Sequence, residues 1–134
     1  MTWSTSTVHR ASGATQRMLD YWIRLGLFSS SLADLGHGYR RRWEDYQVIL
    51  ARALVLMASI MPVTGYTRLR GVEDHVRRAW EWEPTLRDVW LVITPTSVGV
   101  YYGLSLGATT HAAIVIDLGA CADHVRAERE LARR

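Results

Sequence analysis

The sequence predicts an α+β fold: a helical N-terminal unit of about 80 residues followed by a small ββ(β)α unit. Three observations predict it. Apolar residues recur at helical spacing as far as Pro84, and from Thr85 the texture turns β-rich in "DVWLVIT" and "VGVYYGLSL". Hydrophobic residues make up 49% of the 134 residues and charged residues 22%, enough apolar surface for a packed core.

"TSTVHRASGAT" offers hydroxyl caps at Ser6, Thr7 and Thr15, and a short helix over Val8–Ser12 is expected to end at Gly13. A second helix opens at Thr15, with Met18, Leu19, Trp22 and Ile23 on one face and Gly26 as its stop. Two helices joined by a glycine-containing turn match a helix-turn-helix. "SSSLADLGHG" reads as loop. Then comes "YRRRW", and "EDYQVILARALVLMASIM" is a strong helix. Its expected inward stripe is Tyr46, Ile49, Leu50, Ala53, Leu56, Met57 and Ile60, with Glu44 and Asp45 favouring its N-terminal dipole. "RLRGVEDHVRRAWEWE" is a weaker helix with Val72, Val76, Ala79 and Trp80 inward, closed by Pro84. Two strands separated by "PTS", a third in "AAIVID" and a last helix with Val125 and Leu131 inward complete the chain. The expected division is 1–65 for the DNA-binding unit, 66–84 for a connecting helix and 85–134 for a dimerisation or effector unit.

All 16 basic residues are arginine, which codon supply in a GC-rich genome explains as readily as function does. Their placement is more informative. Residues 1–43 hold six arginines against two acids, a charge of +4, whereas the remainder carries −1. A local basic block points to a polyanionic partner. Cys121 is the lone cysteine, so no intrachain disulfide is possible; it is read as a small buried residue. The first residues hold no apolar run of signal-peptide length, and no stretch approaches the length of a membrane span. A cytoplasmic, nucleoid-associated protein is expected, in the host cytoplasm if phage-encoded.

"SGATQRMLDYWIRLGLF", a loop, and "GHGYRRRWEDYQVILARALVLMASI" together resemble the DNA-binding head of the mercury-resistance-regulator (MerR) family. There a G-[VA]-[ST]-x-R-x-[IL]-x-Y-[YW]-x-R-x-G-[LI]-[LI] segment forms the recognition helix, a G-Y/S-R-R-Y segment forms the wing, and a helix follows at once. Gly13, Thr15, Arg17, Leu19, Tyr21, Trp22, Arg24, Gly26, Leu27 and Phe28 fill the first pattern; Gly38, Tyr39, Arg40 and Arg41 fill the second. The likeness covers roughly residues 6–60. Asp20 and Ile23 depart from the residue types common at their positions, and the long C-terminal dimerisation helix of the family is not evident.

The resemblance implies a winged helix-turn-helix that binds double-stranded DNA. Thr15, Gln16 and Arg17 lie in the first turn of the second helix, where free N–H groups and the positive dipole end favour phosphate. Gln16 and Arg17 suit adenine and guanine edges, and Tyr21 neighbours Arg24 one turn on. Asp20 is expected to face away or to orient an arginine. On the wing, Tyr39 and Arg41 would share one face and Arg40 and Arg42 the other. Two of the three arginines are expected to contact DNA, one to pair with Asp45, Glu44 or solvent. His37 is read as a loop residue near phosphate, and Trp43 as the anchor of the strand in the core. Arg17 as a plain surface arginine, Gln16 as a solvated side chain and Tyr21 as a core tyrosine are the competing readings.

The second half shows no catalytic constellation. His111, His124 and Cys121 are scattered without metal-ligand spacing, so no metal, no cofactor and no enzyme activity are expected. Asp117 reads as a helix cap. A three-stranded sheet with one helix cannot cover its own faces and edges, which predicts a homodimer through the C-terminal unit. No particular residue supports a small-molecule effector pocket. The leading function is a sequence-specific transcriptional regulator of bacterial or phage origin. The alternatives are a phage excisionase that bends DNA, and a protein-interaction module such as an antitoxin or adaptor.

Overall fold

Trp3 pairs with Trp43 across a two-residue antiparallel ladder, and this pairing ties the start of the chain to the middle. The computed structural model describes residues 2–29, 41–60, 63–103 and 112–133. The expectations for His37, Tyr39 and Arg40, for Pro62, for 104–106 and for His111 fall outside them. The described chain runs β1 (Trp3–Ser4), α1 (Thr5–Ser12), α2 (Gln16–Arg24), β2 (Arg42–Trp43), α3 (Asp45–Ala58), a 3₁₀ helix (Val63–Leu69), α4 (Val72–Trp82), β3 (Val89–Ile93), β4 (Val98–Tyr102), β5 (Ile114–Asp117) and α5 (Leu118–Ala132). The protein is thus a mixed α and β structure.

α1 begins one turn earlier than expected. Its cap is Ser4, not Ser6 or Thr7, because the Trp3–Trp43 pairing leaves Ser4 extended at φ −81°, ψ 160° with its hydroxyl facing the Thr7 N–H. Gly13 ends it in the left-handed region at φ 83°. Thr15 caps α2 as expected, its Oγ1 accepting from Met18 N at 3.1 Å. Leu19 and Trp22 are buried, with Met18 and Ile23 packed against the same core.

α3 is buried nearly all round: Val48, Ile49, Leu50, Ala51, Ala53, Leu54 and Met57 all lie in the core. It is the axis of the molecule, contacted by α1, α4 and α5. The expected one-sided stripe is therefore corrected. Leu56 and Ile60, at 41% and 64% exposed, point out, while Val48 and Leu54 point in. On α5 Val125 is buried as expected, but Leu131 lies outward near the chain end. Trp82 is exposed on α4, whose buried positions are Val72, Val76 and Ala79.

The larger sheet has the order β4-β3-β5, all antiparallel, with Leu91 opposite Val100 on one side and Ile116 on the other. Val89, Leu91 and Ile93 alternate inward. α5 lies against β3, α3 against β5 and α4 against β4, so helices of the first half help to cover the sheet. The premise that one helix must cover it alone is corrected. Buried residues of both halves form one contiguous cluster, from Trp3 and Val8 to Leu118 and Val125. No described helix is long and apolar enough to cross a membrane.

Candidate nucleic-acid interface

α2 presents its exposed positions in one helical row: Gln16, Arg17, Asp20 and Arg24 face solvent, while Leu19 and Trp22 occupy the opposite, buried side. Tyr21 is half-buried against the core beside this row. Arg17 and Arg24 make no ion pair among the described residues. Gln16 Nε2 donates to Asp20 Oδ1 at 3.1 Å. The residue that Asp20 bonds is thus a glutamine and not an arginine. Asp20 sits on the exposed row and holds the glutamine, because residues four apart on a helix are neighbours.

The placement of this row is rigid at both ends. At the start, Ser12 Oγ donates to Val8 O at 2.7 Å and accepts from Ala14 N at 3.1 Å, and the His9 ring donates from Nδ1 to Ala14 O. Arg52 of α3 donates to Ser12 O at 3.2 Å, fastening the turn to the central helix. At the end, Arg70 Nε donates to Leu25 O at 2.8 Å and so satisfies a carbonyl that the finished helix leaves open. Trp22 packs against Phe28 and Tyr66 with ring centroids 6.5 and 6.1 Å apart. Sequence reasoning missed Ser12, and it missed Arg52 and Arg70, whose partners lie on other elements.

Of the arginine triplet, Arg41 and Arg42 are described, and they face opposite ways. Arg42 is exposed. Arg41 turns inward, its guanidinium 4.5 Å from the Trp43 ring centroid, with Nη2 donating to Ser29 O at 2.7 Å. Burial lowers its pKa from the ordinary arginine value, and the nearby Glu73 carboxylate works the other way. The alternation of a short strand that buries Trp43 also turns Arg41 toward the body of the protein, where it is half-buried. Trp43 is fully buried, as expected of an anchor. It donates to Thr5 Oγ1 at 3.2 Å and meets the edge of Phe28 at 5.1 Å. Among the described residues neither Glu44 nor Asp45 forms an ion pair with Arg41 or Arg42: Asp45 Oδ1 instead accepts from Trp3 Nε1 at 2.6 Å and Arg129 at 2.8 Å.

A cluster unforeseen in the sequence lies beneath Arg41. Gln47 is fully buried; its Oε1 accepts from Glu44 N at 2.9 Å and its Nε2 donates to Glu73 Oε2 at 2.8 Å. Both Glu73 oxygens accept from Ser29 N, at 2.9 and 3.0 Å. The glutamine three residues after Glu44 was a readable capping signal. Its second bond, to a residue 26 positions away, was not.

In the second half, Asp117 is the helix cap expected, its Oδ1 accepting from Ala120 N at 3.1 Å. It borders an open cleft of about 550 Å³ lined also by Asp88, Asp123 and Arg126. Among the described residues no group of three or more His, Cys, Asp or Glu side chains could hold a metal ion. Cys121 is buried, and burial pushes its thiol up to about 12. No protein-family model and no curated protein matches the chain.

Proposed function

We propose that the protein is a sequence-specific double-stranded DNA-binding regulator of transcription, built as a winged helix-turn-helix. α2 enters the major groove, and the arginine stretch ending at Arg42 lies on the flanking backbone or minor groove. The observation that carries the reading is the exposed row Gln16, Arg17 and Arg24 on a helix clamped at both ends. A glutamine reads adenine edges and an arginine reads guanine edges, and each needs a rigid scaffold to hold register. Arg17 and Arg24, which make no ion pair among the described residues, supply charge for phosphate contacts. Two copies joined through the C-terminal unit would read a palindrome with half-sites a whole helical turn apart. Tyr101 and Tyr102, exposed on opposite faces of β4, are among the exposed large apolar residues of that unit.

Selection of bound duplexes from a random pool, followed by mobility shift, tests the reading. A recovered palindromic motif supports the regulator. Tandem direct sites would instead indicate an excisionase, and no enrichment would favour a protein-interaction module.

A further inference from the structure

Ser29 and Arg41 meet on the body of the protein. Ser29 O accepts from Arg41 Nη2 at 2.7 Å, across 12 positions of sequence, so the two residues are directly bonded. Ser29 N donates to both oxygens of Glu73, at 2.9 and 3.0 Å. Glu73 sits in the first turn of α4 and is held in turn by Gln47 of α3, whose Nε2 also reaches Ser29 O at 3.4 Å. Gln47 is fully buried, and Arg41 Nε is buried without a hydrogen-bond partner among the described residues. A buried donor left without a partner costs free energy and persists only where its surroundings hold it. Here the holding groups are the Ser29 carbonyl, the Trp43 ring and the Glu73 charge.

We propose that Glu73 is a positioning residue for Arg41 and Arg42: by bonding Ser29, whose carbonyl accepts from Arg41, it ties Ser29 and Arg41 to α3 and α4. Bringing chain ends together has an entropic cost that must be met by contacts at the base. Glu73 meets it with a carboxylate that accepts one backbone N–H on both oxygens and the Gln47 amide on one of them. The consequence for DNA rests on the DNA-binding reading; the clamp itself does not.

The experiment has three readings on the full chain. Hydrogen exchange of the native protein should show the Ser29 amide exchanging at least about tenfold slower than an unstructured amide; exchange at the unstructured rate overturns the clamp without any variant. Glu73→Gln should accelerate trypsin cleavage after Arg40, Arg41 or Arg42 by about tenfold, the open population rising as a charged hydrogen bond is lost. Unchanged cleavage in a folded Glu73→Gln protein also overturns it. On the duplex selected by the native protein and on an unrelated duplex, Glu73→Gln should weaken binding alike and lower the salt slope, with base preference kept. A smaller folded fraction alone would leave the slope unchanged. Looser cleavage with unaltered DNA binding overturns the positioning role, whereas absence of DNA binding by the native protein would overturn the DNA-binding reading and leave the clamp standing on exchange and cleavage.

Discussion

The Arg41 guanidinium lies over the indole ring of Trp43, 4.5 Å from its centroid, and Trp43 is fully buried. That stack makes Arg41 part of the fold, and it divides the labour of two adjacent arginines. Arg42→Ala should leave the melting temperature nearly unchanged and flatten the salt slope of DNA binding by about one unit. Arg41→Ala should destabilise the protein by about 1–3 kcal/mol, through the lost stack and the exposed need of Glu73 and Ser29 for partners. Thermal melts beside salt titrations separate the two. A melt unchanged by Arg41→Ala would show that the stack contributes nothing.

Arg17 stands on the exposed row of α2 without an ion-pair partner among the described residues. Arg17→Ala should weaken binding to the preferred duplex by about 1–3 kcal/mol and relax preference at one base position. Its stability should stay within about 0.5 kcal/mol of the native protein, as for other surface changes. Competition mobility shifts against single-base variants of the site provide the check; a uniform loss over all duplexes would make Arg17 a phosphate contact.

Gly13 joins α1 to α2 at φ 83°, and a Cβ there would stand 3.3 Å from Arg52 Nη1. Gly13→Ala should cost about 1–2 kcal/mol, chiefly from the left-handed backbone that L-residues resist. Denaturant unfolding measures it. A neutral result would mean that the turn relaxes out of this conformation.

Cys121 is a protonated, inert thiol in the folded protein. Burial raises its pKa from 9.0 to about 12. In the unfolded chain the thiol ionises near 9, so between about pH 9 and 12 the unfolded state binds fewer protons and stability falls as pH rises. Tyr46 and Tyr66, also raised chiefly by burial, act in the same direction. Below pH 8 none of the three contributes a slope. A thiol reagent at pH 8 should react with Cys121 only under denaturing conditions, and Cys121→Ala should make the alkaline loss shallower. Rapid modification of the native protein would contradict its burial.

α2 was legible because Thr15, Leu19 and Trp22 state a cap and a buried face within one local stretch. Asp117, Val125 and the strands of the larger sheet were legible for the same reason. β1 was not: two residues carry no period, and their partner lies 40 positions away. That hidden pairing also moved the α1 cap to Ser4. α3 misled because a helix surrounded by three others loses the amphipathic signal, so Val48 and Leu54 looked outward and Leu56 and Ile60 inward. On α2 the exposure of Arg17 and Arg24 was legible from helical spacing, but a run of three arginines does not say which one turns in. Burial of Trp43 decides it. Glu73, Arg52 and Arg70 act on Ser29, Ser12 and Leu25, at separations that no local pattern records.

The central claim is that α2 reads base sequence in double-stranded DNA. Mobility shift of the native protein on its pool-selected duplex and on a scrambled duplex, at two salt concentrations, tests it most directly. At least about a thousandfold preference for the selected duplex, with both affinities falling steeply as salt rises, is the expected result. Equal affinity for the two duplexes, or none for either, would contradict it.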